Sequence, residues 1–296
     1  ANDFTGAVGI TTGNNVSLTD TNAIVLGQSD VSGTYGVAAG GDITNTGKLT
    51  IAGISTINNT TGGANISLNF ATNDFSSQVT LQAAGGGGTF GDIAFVDNGT
   101  VNLVNVVGAD GDLLLDAATN GLMSGSLAIT SAAGSITQNT VALNVGTTSS
   151  FTTSATGQTI SLGTTTNEFV GAVALTTTGT GGNATIVAGA TNDLVLAAST
   201  INGNLTVTSG NATGITDIGT VTVTGDLSAT TNGGAAGDIV LDNLAVTAST
   251  ENITLTTDGA GSATIVNTVG IDFATSNVGG VLIATATTGN IEDTGV

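Results

Sequence analysis

Gly203-Asn204-Leu205-Thr206-Val207-Thr208-Ser209, followed by Gly214-Ile215-Thr216-Asp217-Ile218-Gly219-Thr220-Val221-Thr222-Val223-Thr224-Gly225, reads as short runs of strict apolar/polar alternation, each opened by a glycine. Alternation sends Leu205, Val207, Ile215, Val221 and Val223 to one face of a strand and the threonines between them to the other. The phrase returns as Gly41-Asp42-Ile43-Thr44, Gly134-Ser135-Ile136-Thr137 and Gly289-Asn290-Ile291-Glu292. Strands this short cannot bury a face alone. Stacked coil on coil, they form parallel sheets around a narrow core, with Ile43, Ile136, Ile215 and Ile291 as core positions.

A longer repeat lies over the short one. Asn2-Asp3-Phe4 reappears as Asn73-Asp74-Phe75 and as Asn167-Glu168-Phe169, with a weaker echo in Ile271-Asp272-Phe273. The first two intervals, 71 and 94 residues, differ by 23, close to one solenoid turn. Insertion of one whole coil would leave the stacking intact. The expected organisation is therefore one continuous solenoid over 1–296, with long repeats at about 1–71, 72–165 and 166–267 and a partial fourth over 268–296. Phe4, Phe75, Phe169 and Phe273 recur once per long repeat, either as a binding stripe or as an internal stack; their place before Val8, Val79 and Val173 favours the core.

Composition agrees with a thin core. The chain has 46 glycines among 296 residues, 3% aromatics and no proline. Proline would remove a ladder donor from strands paired on both edges. Glycine and Asp or Asn mark the turns, as at Gly91-Asp92, Gly225-Asp226 and Gly237-Asp238, where an Asx side chain accepts backbone N–H groups as a strand begins.

The net charge of −20, with Lys48 the single basic residue, argues against nucleic acid, whose phosphates need Lys and Arg. It argues equally against an anionic membrane surface. No apolar run approaches the ~20 residues of a membrane-spanning helix. Without cysteine there are no disulfides or thiolate metal sites, and without histidine no Ser-His-Asp triad.

Asn2-Asp3-Phe4-Thr5-Gly6-Ala7-Val8, the run Asn15-Val16-Ser17-Leu18-Thr19-Asp20, and Gly41-Asp42-Ile43-Thr44-Asn45-Thr46-Gly47 resemble the long-repeat bacterial surface proteins related to filamentous haemagglutinin. The resemblance implies a right-handed parallel β-helix from an exported giant adhesin, filament or surface-layer protein. It does not extend to a secretion-recognition domain or a recognisable binding domain.

Chemistry has few places to reside. Asp110, Asp112 and Asp116 are the candidate calcium ligands, because stacked turns bring hard oxygens together at about 4.8 Å. The pairs Asp110/Asp112, Asp238/Asp242 and Glu292/Asp293 offer carboxylates to a glycan-active acid/base enzyme, against a bland reading as turn residues. Tyr35 is the one residue resembling a sugar-stacking platform. The pairs Thr206/Thr208, Thr222/Thr224 and Thr176/Thr178 are either water-ordering ladders or an ordinary solvated face.

The sequence thus predicts an all-β, right-handed parallel β-helix of about 12 to 15 coils. The expected role is structural and not enzymatic: part of a bacterial extracellular fibre, stalk or filament at the cell surface. It would join end to end with copies of itself or further repeats, need no cofactor besides optional calcium, and neither bind nucleic acid nor insert in a membrane. An adhesin module contacting glycans is the alternative, and a carboxylate-dependent β-helix enzyme the third.

Overall fold

A computed structural model describes residues 2–83, 90–104, 112–115 (backbone only), 125–139, 142–234, 236–247 and 252–294. Among these there is no helix, and parallel strands stack as a β-solenoid of about 11 turns. The chain divides into two compact units, Ala1–Thr147 and Thr148–Val296.

In the first unit, Val16–Asp20, Tyr35–Ala39, Ser55–Asn59 and Val79–Ala83 stack in order in one sheet, with Val37, Ile57 and Leu81 in a single buried column. The opposing sheet carries a column of Ile24, Ile43, Ile66, Ile93 and Leu127, all buried. In the second unit the columns are Ala184, Leu205, Leu227 and Ile253 on one sheet and Leu194, Ile215, Ile239 and Ala263 on the other. Strict alternation produces this arrangement: in Leu205–Ser209, Leu205, Val207 and Ser209 face inward while Thr206 and Thr208 stay half-exposed. Each buried Leu or Ile contributes about 1.5–3 kcal/mol, so the stacked columns are the main stabilising term.

Fewer turns form than the 12 to 15 expected, because coil length is uneven. Corner bonds join residues 19 to 27 apart in ordinary coils, but 34 apart between Asp92 and Ser126. One strand breaks the serial order. Asp112–Leu115 lies between Val79–Ala83 and Val101–Leu103, pairing Leu113 with Val79 and Asp112 with Asn102.

Polar side chains at the corners hold coil to coil. In the first unit, Asp42 Oδ1 accepts the Asn65 N–H at 2.8 Å, Asn65 Oδ1 that of Asp92 at 2.8 Å, and Asp92 Oδ1 that of Ser126 at 2.6 Å. In the second, Asn183, Asn204 and Asp226 take the N–H of Asn204, Asp226 and Asn252 at 2.8, 3.0 and 2.9 Å. These side chains thus cap the next coil, not the start of their own strand. The backbones come too close there for a Cβ: one built on Gly91 would lie 1.8 Å from the Ala64 carbonyl oxygen.

Two of the expected core positions are not buried. Phe4 and Ile291 are exposed, whereas Phe75, Phe169, Phe273, Ile43, Ile136 and Ile215 are buried. Ile291 stacks on the buried Ile271 on one side only, and Phe4 lies outside the first described strand. A column position becomes buried only when coils cover it from both sides. Tyr35 is also misplaced as a surface platform: it is 0% exposed, and burial pushes its hydroxyl up to about 12.

Candidate functional site

The proposed calcium ligands Asp110 and Asp116 lie outside the described residues, as does the side chain of Asp112. Among the described residues, no three acidic, histidine or cysteine side chains are placed to hold a metal. The pair Asp238/Asp242 lies within one strand, Asp238–Val246, and both carboxylates are hydrogen-bonded. Asp238 accepts the Ser262 N–H at 2.7 Å, and Asp242 accepts the Asn243 side-chain amide at 2.6 Å. Glu292 is exposed and accepts from Asn290 Nδ2 at 3.2 Å.

The repeated Asn-Asp-Phe phrase builds the most structured polar corner of the first unit. Asn73, fully buried, donates to the Leu68 carbonyl at 3.1 Å and accepts from Asn45 Nδ2 at 2.8 Å and the Leu49 N–H at 3.0 Å. Phe75 turns inward against Phe95, with ring centroids 5.3 Å apart. Between them Asp74 faces out, and its Oδ2 lies 3.7 Å from Lys48 Nζ. Both groups are more than a third exposed, so this pair adds little to stability.

The neighbouring coil contributes Asp97, the last inward position of Ile93–Asp97 and only 3% exposed. Its Oδ1 accepts the Phe75 N–H at 2.9 Å and its Oδ2 the Gly99 N–H at 3.2 Å. Burial pushes this carboxyl up to about 6; the N–H bonds from Phe75, Gly99 and Asn98 oppose that rise, and the charge of Asp74 adds to it. Asp74, Phe75, Ser76, Asp97, Asn98, Gly99 and Thr100 line a hollow of about 360 Å3. The corner therefore sets a carboxyl that exchanges its proton near pH 6 beside a second, half-exposed carboxylate.

The same phrase serves related ends elsewhere. The Phe4 N–H donates to Asp20 Oδ2 at 3.2 Å, as Phe75 does to Asp97. In the second unit, Asn167 is fully buried and donates to the Val187 carbonyl at 3.0 Å, while Glu168 accepts the N–H groups of Thr191 and Asn192, each at 3.1 Å. Aspartate at position 97 gave no signal in the sequence, because nothing in the run Ile93-Ala94-Phe95-Val96-Asp97 distinguishes an inward acid from a turn residue.

The second unit presents a different surface. Thr185, Thr206, Ser228 and Thr254 form an outward column beside the capping ladder of Asn204, Asp226 and Asn252. Thr206, Ser228 and Thr254 of that column, the ladder residues, Ala274 and Thr294 border a polar groove of about 700 Å3. It holds hydroxyls, amides and carboxylates, and no aromatic ring.

A family model described as "Repeats of unknown function (DUF5649)" matches the chain three times, over residues 13–82, 91–176 and 181–256. The chain belongs to this family. Comparison with curated proteins and with solved structures gave no match. In the first two DUF5649 repeats the Asn-Asp/Glu-Phe phrase falls near the end of the match, at 73–75 and 167–169. The buried asparagine, inward phenylalanine and outward acid are thus a feature of these DUF5649 repeats.

Proposed function

We propose that this chain is a structural segment of an extracellular bacterial fibre, stalk or filament, extended end to end by further repeats or by a second copy. The observation that carries this reading is the stacking of like apolar columns coil on coil, as in Ala184, Leu205, Leu227 and Ile253. Leu282 pairs with the buried Ala263 and Ile291 with the buried Ile271, and both are more than 40% exposed. Inward columns elsewhere are closed by the coil above. A further coil on this face would bury the same columns and pair the open strand edge of Leu282–Ala286. The uniform corner ladders support the reading, since they extend without a change of geometry. So does the resemblance to filamentous-haemagglutinin-like surface proteins.

In this reading the protein acts through its dimensions and resistance, not through catalysis, and needs no cofactor. Sedimentation and electron microscopy of the 296-residue chain at rising concentration test it. Rods that lengthen with concentration, and that are lost in the double variant Leu282→Asp, Ile291→Asp, are expected. A chain that stays monomeric at every concentration would overturn end-to-end association.

One observation favours a second reading, an adhesin surface for glycans: the polar groove over Thr206, Ser228 and Thr254. Its donors and acceptors match the hydroxyls of an extended sugar chain. Titration with oligosaccharides, with Ser228→Val as control, separates the two readings; absence of any binding leaves the structural one.

A further inference from the structure

The hollow at the Asp74–Asp97 corner brings a buried carboxyl together with an Asn-Gly dipeptide. Asn98 and Gly99 form an Asn-Gly dipeptide, the sequence in which a side-chain carboxamide is least shielded from the following backbone nitrogen, since glycine has no Cβ. Asn98 is exposed, and its amide makes no hydrogen bond among the described residues, although its own N–H is fixed on the Asn73 carbonyl at 2.8 Å. Gly99 is held on both sides: its N–H donates to Asp97 Oδ2 at 3.2 Å, and its carbonyl accepts from Ser131 Oγ at 2.5 Å. The nitrogen that would attack Asn98 therefore already donates its proton to a carboxylate.

We propose that Asn98-Gly99 is a self-modifying site, with Asp97 as the general base that activates the Gly99 nitrogen toward the Asn98 side chain. Asp97 takes the Gly99 N–H proton as the nitrogen pair forms a bond to Asn98 Cγ. The Cγ–Nδ2 bond then breaks, and the proton returns from Asp97 to the departing nitrogen, which leaves as ammonia. The product is a five-membered succinimide. Water opens it at one carbonyl to give aspartate, or at the other to give isoaspartate, so the net change is asparagine plus water to an acid plus ammonia. The carboxylate that receives the proton is more basic than an ordinary one, which suits the task. Asp74, whose own partner is Lys48, is the charged group that acts on Asp97.

The other Asn-Gly pairs lack this arrangement. Asn202 is clamped, its Nδ2 donating to the Thr177 carbonyl at 2.6 Å and its N–H to Thr177 Oγ1 at 2.9 Å. At Asn232-Gly233 the nearby carboxylate, Asp258, takes the N–H of Gly234, one residue too far along the chain. Asn120-Gly121 lies outside the described residues. Conversion at Asn98 would place a new carboxylate beside Asp97 and Asp74. As isoaspartate it would also lengthen the backbone where Asn98 holds the preceding coil. The site is thus a slow clock that loosens one corner of the first unit.

Ageing the folded 296-residue chain and mapping its peptides by mass spectrometry tests the proposal. Asn98 is expected to convert about tenfold or more faster than Asn232 or Asn202 in the same molecule. Its rate should rise with pH up to about 6 and then level off, following the Asp97 carboxylate. In Asp97→Asn the Asn98 rate should fall to that of Asn232. A rate at Asn98 no greater than at Asn232, or one that climbs steadily with hydroxide through pH 6, would overturn it.

Discussion

Thr231 shows what a single inward polar side chain does in a solenoid. It is buried at the end of Leu227–Thr231, where the chain turns sharply out of the strand. Its hydroxyl donates to the Gly237 carbonyl at 2.8 Å, closing its own turn, and accepts the Asp258 N–H of the next coil at 3.1 Å. Thr177 does the same with the Gly182 carbonyl and the Asn202 N–H, and Thr257 with the Gly261 carbonyl and the Gly279 N–H. One oxygen thus satisfies a buried carbonyl of its own turn and a part-buried N–H of the next coil. Thr231→Val keeps the shape and leaves both unpaired, so it should cost the second unit about 2–3 kcal/mol, while Thr231→Ser should cost under about 1 kcal/mol. Chemical denaturation of both variants measures the difference, and equal losses would show that the hydroxyl is not what matters.

At the scale of the element, the Asn-Asp-Phe corner depends on Asn73. Its side chain binds Asn45, Leu49 and Leu68, so it ties Leu49–Ile51 to the chain segment that leads into Asp74–Phe75. Asn73→Ala opens a void and orphans the Leu49 N–H, at an expected cost of about 3 kcal/mol. Hydrogen exchange supplies the local readout: the Leu49 amide should lose protection well before that of Ile57. What the sequence made legible follows the same physics. Inward columns demand apolar residues at every second position, so alternation revealed Leu205–Ser209 and its counterparts almost residue by residue. The corners were legible as Gly-Asp pairs, but not as bonds to the next coil, because that partner comes from some 20 residues away. The turn count depended on coils as long as that between Asp92 and Ser126, whose length has no periodic signature. The burial of Tyr35 and the exposure of Phe4 and Ile291 depended on whether coils lay on both sides. Asp97 escaped notice because an acid inside is permitted only by the N–H groups that its neighbours happen to present.

For the whole molecule, the dominant electrostatic fact is a net charge of −20 on a fold stabilised by stacking like coils. The shifted carboxyls indicate how stability should respond to pH. Asp97 titrates at about 6 in the folded chain against 3.8 normally, so folding holds its proton more tightly. Its contribution is therefore fully present below pH 3.8, declines as pH rises, and is gone above about 6. Burial, against hydrogen bonds from Asn243 and Asp242, raises Asp217 in the second unit with the same sign. Asp272 runs the other way: the Thr294 hydroxyl and N–H hold it low, so its contribution exists above the ordinary value and is lost on acidification. The first unit, which contains Asp97, should therefore gain about 1 kcal/mol between pH 7 and pH 5, while the second gains less. Relief of like-charge repulsion acts in the same direction on both, and is screened by salt. Thermal melts followed by hydrogen exchange, so that the two units are read separately, should show the first unit's midpoint rising on acidification. Asp97→Asn should remove most of that rise and leave the salt-dependent part. A first unit that loses stability between pH 7 and pH 5 would mean that the Asp97 carboxylate is better solvated than its burial implies, and would remove the basis for the base strength assigned to it beside Gly99.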